Sequence, residues 1–183
     1  MSKAIFTVKD IATIGVMVAL TEAVKWALQS LPNVEMVTLL FMVFAVTYGL
    51  KSCIVALIFT GVETLIWGPH IWVLMYLYIW PLLIITAYIM GKRKLPDWCF
   101  VFLGGFYGLF FGMICAIPYL FFGGLKVAVA WWIAGIPFDI MHCISNTVIA
   151  LVLFKPLRKA MTMIIGSPYK GGQDENNRYT EQG

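Results

Sequence analysis

The chain has 183 residues, of which 61% are apolar and 12% charged, and 13 basic against 9 acidic side chains give a net charge of +4. A soluble domain of this size carries about 25% charged residues, so there is too little polar surface here to coat a water-soluble globule. Composition likewise excludes a disordered chain, a collagen-like fibre and a disulfide-stapled secreted domain, which leaves a membrane protein.

A helix needs about 20 apolar residues to cross a hydrocarbon layer of roughly 30 Å. Six such runs are read: Ile11–Leu28, Val34–Tyr48, Cys53–Trp67, Ile71–Met90, Trp98–Leu120 and Ala128–Phe154. Between them lie short segments rich in Gly and Pro, such as Gly68-Pro69-His70 and Gly123-Gly124-Leu125-Lys126, where helices stop. No small-residue cleavage site follows the first run, so no signal peptide is read. On that run Ala19, Ala23 and Ala27 form a small-residue strip, and Glu22 and Lys25 lie three residues apart, close enough to pair. Glu35 opens the second run, and Glu63 sits about one turn from the end of the third. Trp67, His70, Trp72 and Tyr76 crowd the connection into the fourth. Along the fifth, Gly104, Gly108, Gly112 and Ala116 recur every four residues, a pattern that lets another helix approach closely. Tyr119 lies at its end and Trp131 early in the sixth, where Asp139, His142 and Asn146 follow at i, i+3 and i+7 on one face. Pro118 and Pro137 are expected to bend or open their helices. The segment from Ile165 onward is polar and aperiodic and is expected to be a disordered tail. The division is therefore a transmembrane domain over 1–164 and a tail over 165–183.

With both termini in the cytosol, the inner segments hold Lys3, Lys9, Lys51, Lys92, Arg93, Lys94, Lys155, Arg158, Lys159, Lys170 and Arg178, against Lys126 alone outside. The positive-inside rule reads this as N-in, C-in. The expected fold is all-α: a multi-pass membrane protein of six transmembrane helices.

Ionisable groups at membrane depth cost about 2.5–3.5 kcal/mol each on insertion scales, so each needs a reason. Those present collect in the outward halves of the runs. Lys25, Glu35, Glu63, Trp67, His70, Trp72, Tyr76, Tyr119, Trp131, Asp139, His142 and Asn146 form the candidate substrate-binding set. Structural readings stand beside it: a helix-to-helix ion pair for Glu22 and Lys25, a solvated helix start for Glu35, interhelical hydrogen bonds for Asp139, His142 and Asn146, and an interfacial aromatic belt. Four carboxylates against one lysine point to a ligand that is neutral, cationic or rich in hydrogen-bond donors. Two histidines with no third ligand, and four cysteines without CxxC spacing, give no metal site. No HExxH, GxSxG or phosphate-loop motif occurs, so no catalytic residue and no cofactor is assigned, and no nucleic-acid surface is read.

The stretch Ala19-Leu20-Thr21-Glu22-Ala23 matches an Ala-x-x-x-Ala strip on a first helix, and Leu31-Pro32-Asn33-Val34-Glu35 looks like the loop that follows it. In these motifs, and in length, span number and topology, the chain over residues 8–160 resembles the substrate-binding S-components of energy-coupling factor (ECF) vitamin transporters. The resemblance implies that Ala19 and Ala23, with Ala27 continuing the strip, dock on a membrane-embedded coupling subunit driven by two cytosolic ATPases that use ATP. It further implies that the subunit captures a water-soluble vitamin outside and reorients in the lipid bilayer to carry it inward. Cobalamin is the first expectation for the vitamin, from the aromatic-rich rim, and a pyrimidine or thiamine-type compound the second. An intramembrane enzyme using Glu63, Asp139 and His142, and an autonomous proton-coupled carrier, are the competing classes.

Overall fold

A computed structural model describes residues 6–31 and 34–166, and every regular element among them is helical. These are α1 (Val8–Leu28), α2 (Val37–Tyr48), a 3-10 turn (Gly49–Lys51), α3 (Ser52–Trp67), α4 (Ile71–Lys92), α5 (Asp97–Leu109), α6 (Phe111–Cys115) and α7 (Ile117–Ile165). Four helical stretches, Val8–Leu28, Val37–Trp67, Ile71–Lys92 and Ile117–Ile165, are long and apolar enough to cross a membrane. Large apolar side chains cover much of the outside, with Leu65, Phe121 and Leu151 among the most exposed. A surface of this kind is stable against lipid and not against water. The chain is an all-α membrane protein.

The direction of each rod follows from what its ends touch. Thr7 caps α1 by accepting the Asp10 N–H at 3.1 Å, while the Asp10 carboxylate accepts the Thr7 N–H at 2.9 Å, a reciprocal capping box. The same carboxylate accepts the Tyr48 hydroxyl at 2.7 Å and the Lys51 ammonium at 2.8 Å. The start of α1 is thereby clasped to the end of α2 and the turn after it. At the far end Lys25 of α1 pairs with Glu63 of α3. Asp10 to Lys25 rises about 22 Å and Lys51 to Glu63 about 18 Å at helical pitch, so α1 and α3 run side by side in parallel, and α2 runs antiparallel to both. Gly49, at φ +75°, makes the reversal.

As one straight rod α7 would span about 74 Å, more than twice a bilayer's hydrocarbon thickness. It is not straight. Gly124 has φ 74° and ψ 178°, conformations a side chain would resist, and the chain folds back there, stacking Tyr119 on Trp131 with ring centroids 5.0 Å apart. Beyond the fold the helix runs antiparallel to α5 along a regular seam. Arg158 pairs with Asp97, Phe154 stacks on Phe100 at 4.5 Å, and the Gly112 N–H donates to Asp139 at 2.9 Å. Between these, a Cβ added to Gly108 would lie 2.6 Å from the His142 carbonyl carbon, so only hydrogen fits. The four-residue glycine spacing is the spacing of this seam.

All residues from Val37 to Thr47 are buried, so α2 is the core against which the other rods pack. Such a helix is apolar all round because it has no outer face. Threonine hydroxyls within the bundle are satisfied locally: Thr21, Thr47, Thr60 and Thr147 each donate to the carbonyl four residues back at 2.7–2.9 Å.

Two expectations need correction. The fifth run is not one helix, since it breaks at Phe110 and again at Ala116 before entering the first turns of α7. Pro118 lacks the N–H that would reach the Ile114 carbonyl, and the Tyr78 hydroxyl takes that place at 2.7 Å. Pro137, by contrast, lies inside a continuous helix, and the non-helical backbone is at Gly124 instead. The last helix extends to Ile165, and the proposed tail lies outside the described residues from position 167 on.

Gly108→Ala should lower the thermal midpoint of the protein in detergent, with an overpacking cost of about 1–3 kcal/mol. Gly15→Ala, where an added Cβ meets nothing within 4 Å, should leave the midpoint unchanged or raise it slightly.

Candidate functional site

Two cavities lie toward the end of the bundle opposite the Asp10–Lys51 clasp. The first, of about 330 Å³, is lined by Lys25, Glu63, Trp67, His70, Trp72 and Tyr76. Three elements build it. The last turns of α1 and α3, aligned in parallel, bring Lys25 to Glu63, and the Gly68 break turns the chain so that His70 caps α4 and Trp72 and Tyr76 follow on its first turns. Glu63 is 2% exposed, and only one of its oxygens is paired; Oε1 is buried with no partner. The Lys25 ammonium also lies 5.9 Å from the Phe59 ring and 6.0 Å from the Trp67 ring, an arrangement in which aromatic faces support a partly desolvated cation.

The second cavity, of about 300 Å³, lies between α6 and the last helix, where Phe111, Gly112, Trp131, Phe138, Asp139 and His142 line it. Asp139 is 3% exposed; its Oδ1 accepts the Gly112 N–H, and its Oδ2 has no partner. His142 Nδ1 is also unpartnered, with its ring 5.5 Å from Phe111. A run of rings joins the two cavities: Trp72 to Tyr76 at 5.1 Å, Tyr76 to Trp80 at 5.3 Å, Trp80 to Phe111 at 5.8 Å. Buried polar atoms are almost always hydrogen-bonded, and those that are not call for an explanation. Here the unpaired atoms of Glu63, Asp139 and His142 belong to residues lining hollows walled by aromatic faces, whereas those of Glu22 lie outside both. Such a surface can accept hydrogen bonds from a planar donor-bearing molecule and stack on its ring.

Of the twelve residues expected to bind substrate, the first cavity gathers Lys25, Glu63, Trp67, His70, Trp72 and Tyr76. The second gathers Trp131, Asp139 and His142, with Tyr119 stacked behind Trp131. Glu35 and Asn146 line neither. Glu35 accepts the Thr38 N–H at 2.9 Å and so caps α2, and Asn146 is buried on the α5 seam beside Gly104. The partner of Lys25 is also different from that expected: the ion pair crosses to Glu63, and both oxygens of Glu22 are buried without a hydrogen bond. Phe111 and Gly112 were not singled out as ligand-facing. Gly112 had a signal in the glycine spacing, whereas Phe111 had none, because the break that turns it inward at Phe110 has no Gly or Pro beside it on the N-terminal side. Ala19, Ala23 and Ala27 are exposed along α1. Among the described residues no group of three or more His, Cys, Asp or Glu could hold a metal ion. Comparisons with family models, with characterised proteins and with solved structures find no match.

Lys25→Met should destabilise the protein by about 3–5 kcal/mol, because it leaves Glu63 as an uncompensated buried charge. The double variant Lys25→Met/Glu63→Gln should recover most of that loss. Thermal or denaturant unfolding of the four proteins as a double-mutant cycle checks both.

Proposed function

We propose that this chain is the membrane-embedded substrate-binding subunit of an ECF-type vitamin importer. It would cross a bacterial cell membrane six times with both termini inside, capture its substrate from the outside without ATP, and deliver it by reorienting in the bilayer. The observation that carries this reading is the pair of buried, half-satisfied carboxylates, Glu63 and Asp139, each lining an aromatic-walled cavity. The helical bundle fits it too, with the basic residues Lys51, Lys92, Arg93, Lys94 and Arg158 toward one end and the cavities toward the other. The exposed Ala19, Ala23 and Ala27 strip is available to a coupling subunit, which two ATPases would drive.

Cavity volume bears on the substrate. Spaces of about 300 and 330 Å³ lie at the small end of ligand pockets and suit a molecule of one or two rings. A corrinoid with its nucleotide loop is too large for either. The carboxylates and stacking faces favour the second expectation, a pyrimidine or thiamine-type compound bearing an amine or a ring cation, over cobalamin. Glu63 and Asp139 would accept its N–H groups, Tyr76, Trp72 and Trp131 would stack on its rings, and His142 would take a remaining donor or acceptor.

Tryptophan-fluorescence titration of the purified protein in nanodiscs, without ATP, tests this across thiamine, aminopyrimidines and cobalamin. Saturable quenching by an amine-bearing ring compound is expected, weakened about tenfold or more by Glu63→Gln or Asp139→Asn, in line with hydrogen bonds to charged groups. Ala19→Leu/Ala23→Leu should abolish cellular uptake and leave that titration unchanged. Silence toward every compound would overturn substrate capture. Uptake that survives loss of the ATPases but collapses with the proton gradient would replace it with a proton-coupled carrier.

A further inference from the structure

We propose a second binding site at the opposite, basic end of the bundle, which takes the phosphate of an acidic phospholipid. A cavity of about 520 Å³ opens there where α4 ends, α5 begins and the last helix passes, lined by Gly91, Lys94, Asp97, Phe100, Arg158 and Thr162 among others. None of these residues belongs to the vitamin site.

Charge is the first support. Lys92, Arg93, Lys94, Lys155, Arg158 and Lys159 flank or line this cavity, and Asp97 is the sole acidic residue in the two segments that carry them. Asp97 is already engaged by Arg158 at 2.5 Å, and the guanidinium rests over the Phe154 ring at 5.8 Å, which fixes its place. Among the described residues the remaining positive charges there have no ion-pair partner, and a basic pocket between helices at this level is suited to a lipid phosphate.

Backbone geometry is the second. Lys94 has φ 55°, and it is the only non-glycine residue in the left-handed region among those described. It closes α4: its N–H reaches the Gly91 carbonyl at 2.9 Å, and the Leu95 N–H reaches the Met90 carbonyl at 3.1 Å. This closure normally uses glycine, which has no Cβ to strain. A cation at a helix C-terminus is favourable in itself, but Lys92 and Arg93 already supply that. What lysine adds at position 94 is an ammonium at the cavity wall.

The third support separates a lipid from a soluble phosphate. Trp98 is 69% exposed one residue beyond Asp97, where an indole marks the headgroup level of a bilayer. Phe102 and Phe106, also exposed and stacked at 6.3 Å, continue from it at intervals of four along α5. They form an apolar track along which an acyl chain can lie below the headgroup. The proposal relies on the orientation given above only for the choice of leaflet, which would be the cytosolic one.

The test compares the wild-type protein and Lys94→Gly in nanodiscs of phosphatidylcholine alone and of phosphatidylcholine with phosphatidylglycerol. Thermal midpoints and native mass spectrometry are the readouts. The wild type should melt higher with phosphatidylglycerol and retain that lipid in the spectrometer. Lys94→Gly should melt higher than wild type in phosphatidylcholine, because strain is relieved, yet lose most of the gain from phosphatidylglycerol and retain less of it. An equal gain in both proteins, or none in the wild type, overturns the site. If inorganic phosphate in phosphatidylcholine nanodiscs reproduces the gain and no lipid is retained, the lipid assignment is overturned. Vitamin titration in the same nanodiscs should not differ between the two proteins, so failure here is distinguishable from failure of the transport reading.

Discussion

The structure depends on one constraint: hydrocarbon offers no hydrogen bonds, so each polar group carried into it must find its partner within the chain. The threonines meet this by bonding to their own helices. Where Pro118 leaves the Ile114 carbonyl without its usual donor, Tyr78 reaches across from α4 to supply one. Tyr107 of α5 also donates across to the Ile79 carbonyl of α4. The break before Pro118 is thus compatible with a dry surrounding, because a neighbouring phenol completes the carbonyl it exposes. The Asp10 clasp, which uses four donors on one carboxylate, sits at the rod ends, where water is close.

Against that economy the exceptions stand out. Glu63, Asp139 and His142 are each held by one interaction or by packing, with another polar atom left open. Their positions are set by the best-packed parts of the molecule. Asp139 is anchored by the N–H of a residue on the glycine seam, and Glu63 by an ammonium from a parallel helix. Rigid packing therefore holds the unsatisfied atoms in place, and the site has little freedom to satisfy itself. A guest molecule bearing donors would complete what the chain leaves incomplete, and Trp80, whose indole nitrogen is also unpaired, stands in the ring wall between the two hollows.

Much of this was legible in the sequence. The ends of the first four helical runs followed from Gly and Pro, and the fold at Gly123-Gly124 was marked by the glycines themselves. The four-residue glycine spacing on α5 named a close seam, though not its partner helix. What the sequence could not supply was pairing across helices. Lys25 and Glu22 satisfy the intrahelical spacing rule, yet Lys25 turns to Glu63, because α1 and α3 run parallel and bury that carboxylate beside it. Glu35 was open to two readings, a ligand group and a solvated helix start, and its cap on α2 fits the second. The break at Phe110 has no Gly or Pro directly adjoining it, so its exact place was not marked in the sequence.

α2 has consequences for movement. Wrapped on every side from Val37 to Thr47, it meets neither lipid nor water, whatever the tilt of the body around it. A rigid rotation in the bilayer would leave the neighbours of this axle unchanged and expose only the outer rods to new surroundings. The energetic cost of such a rotation would then be written entirely on the periphery, in the basic rim and the apolar flanks, while the centre would behave as an inert spindle.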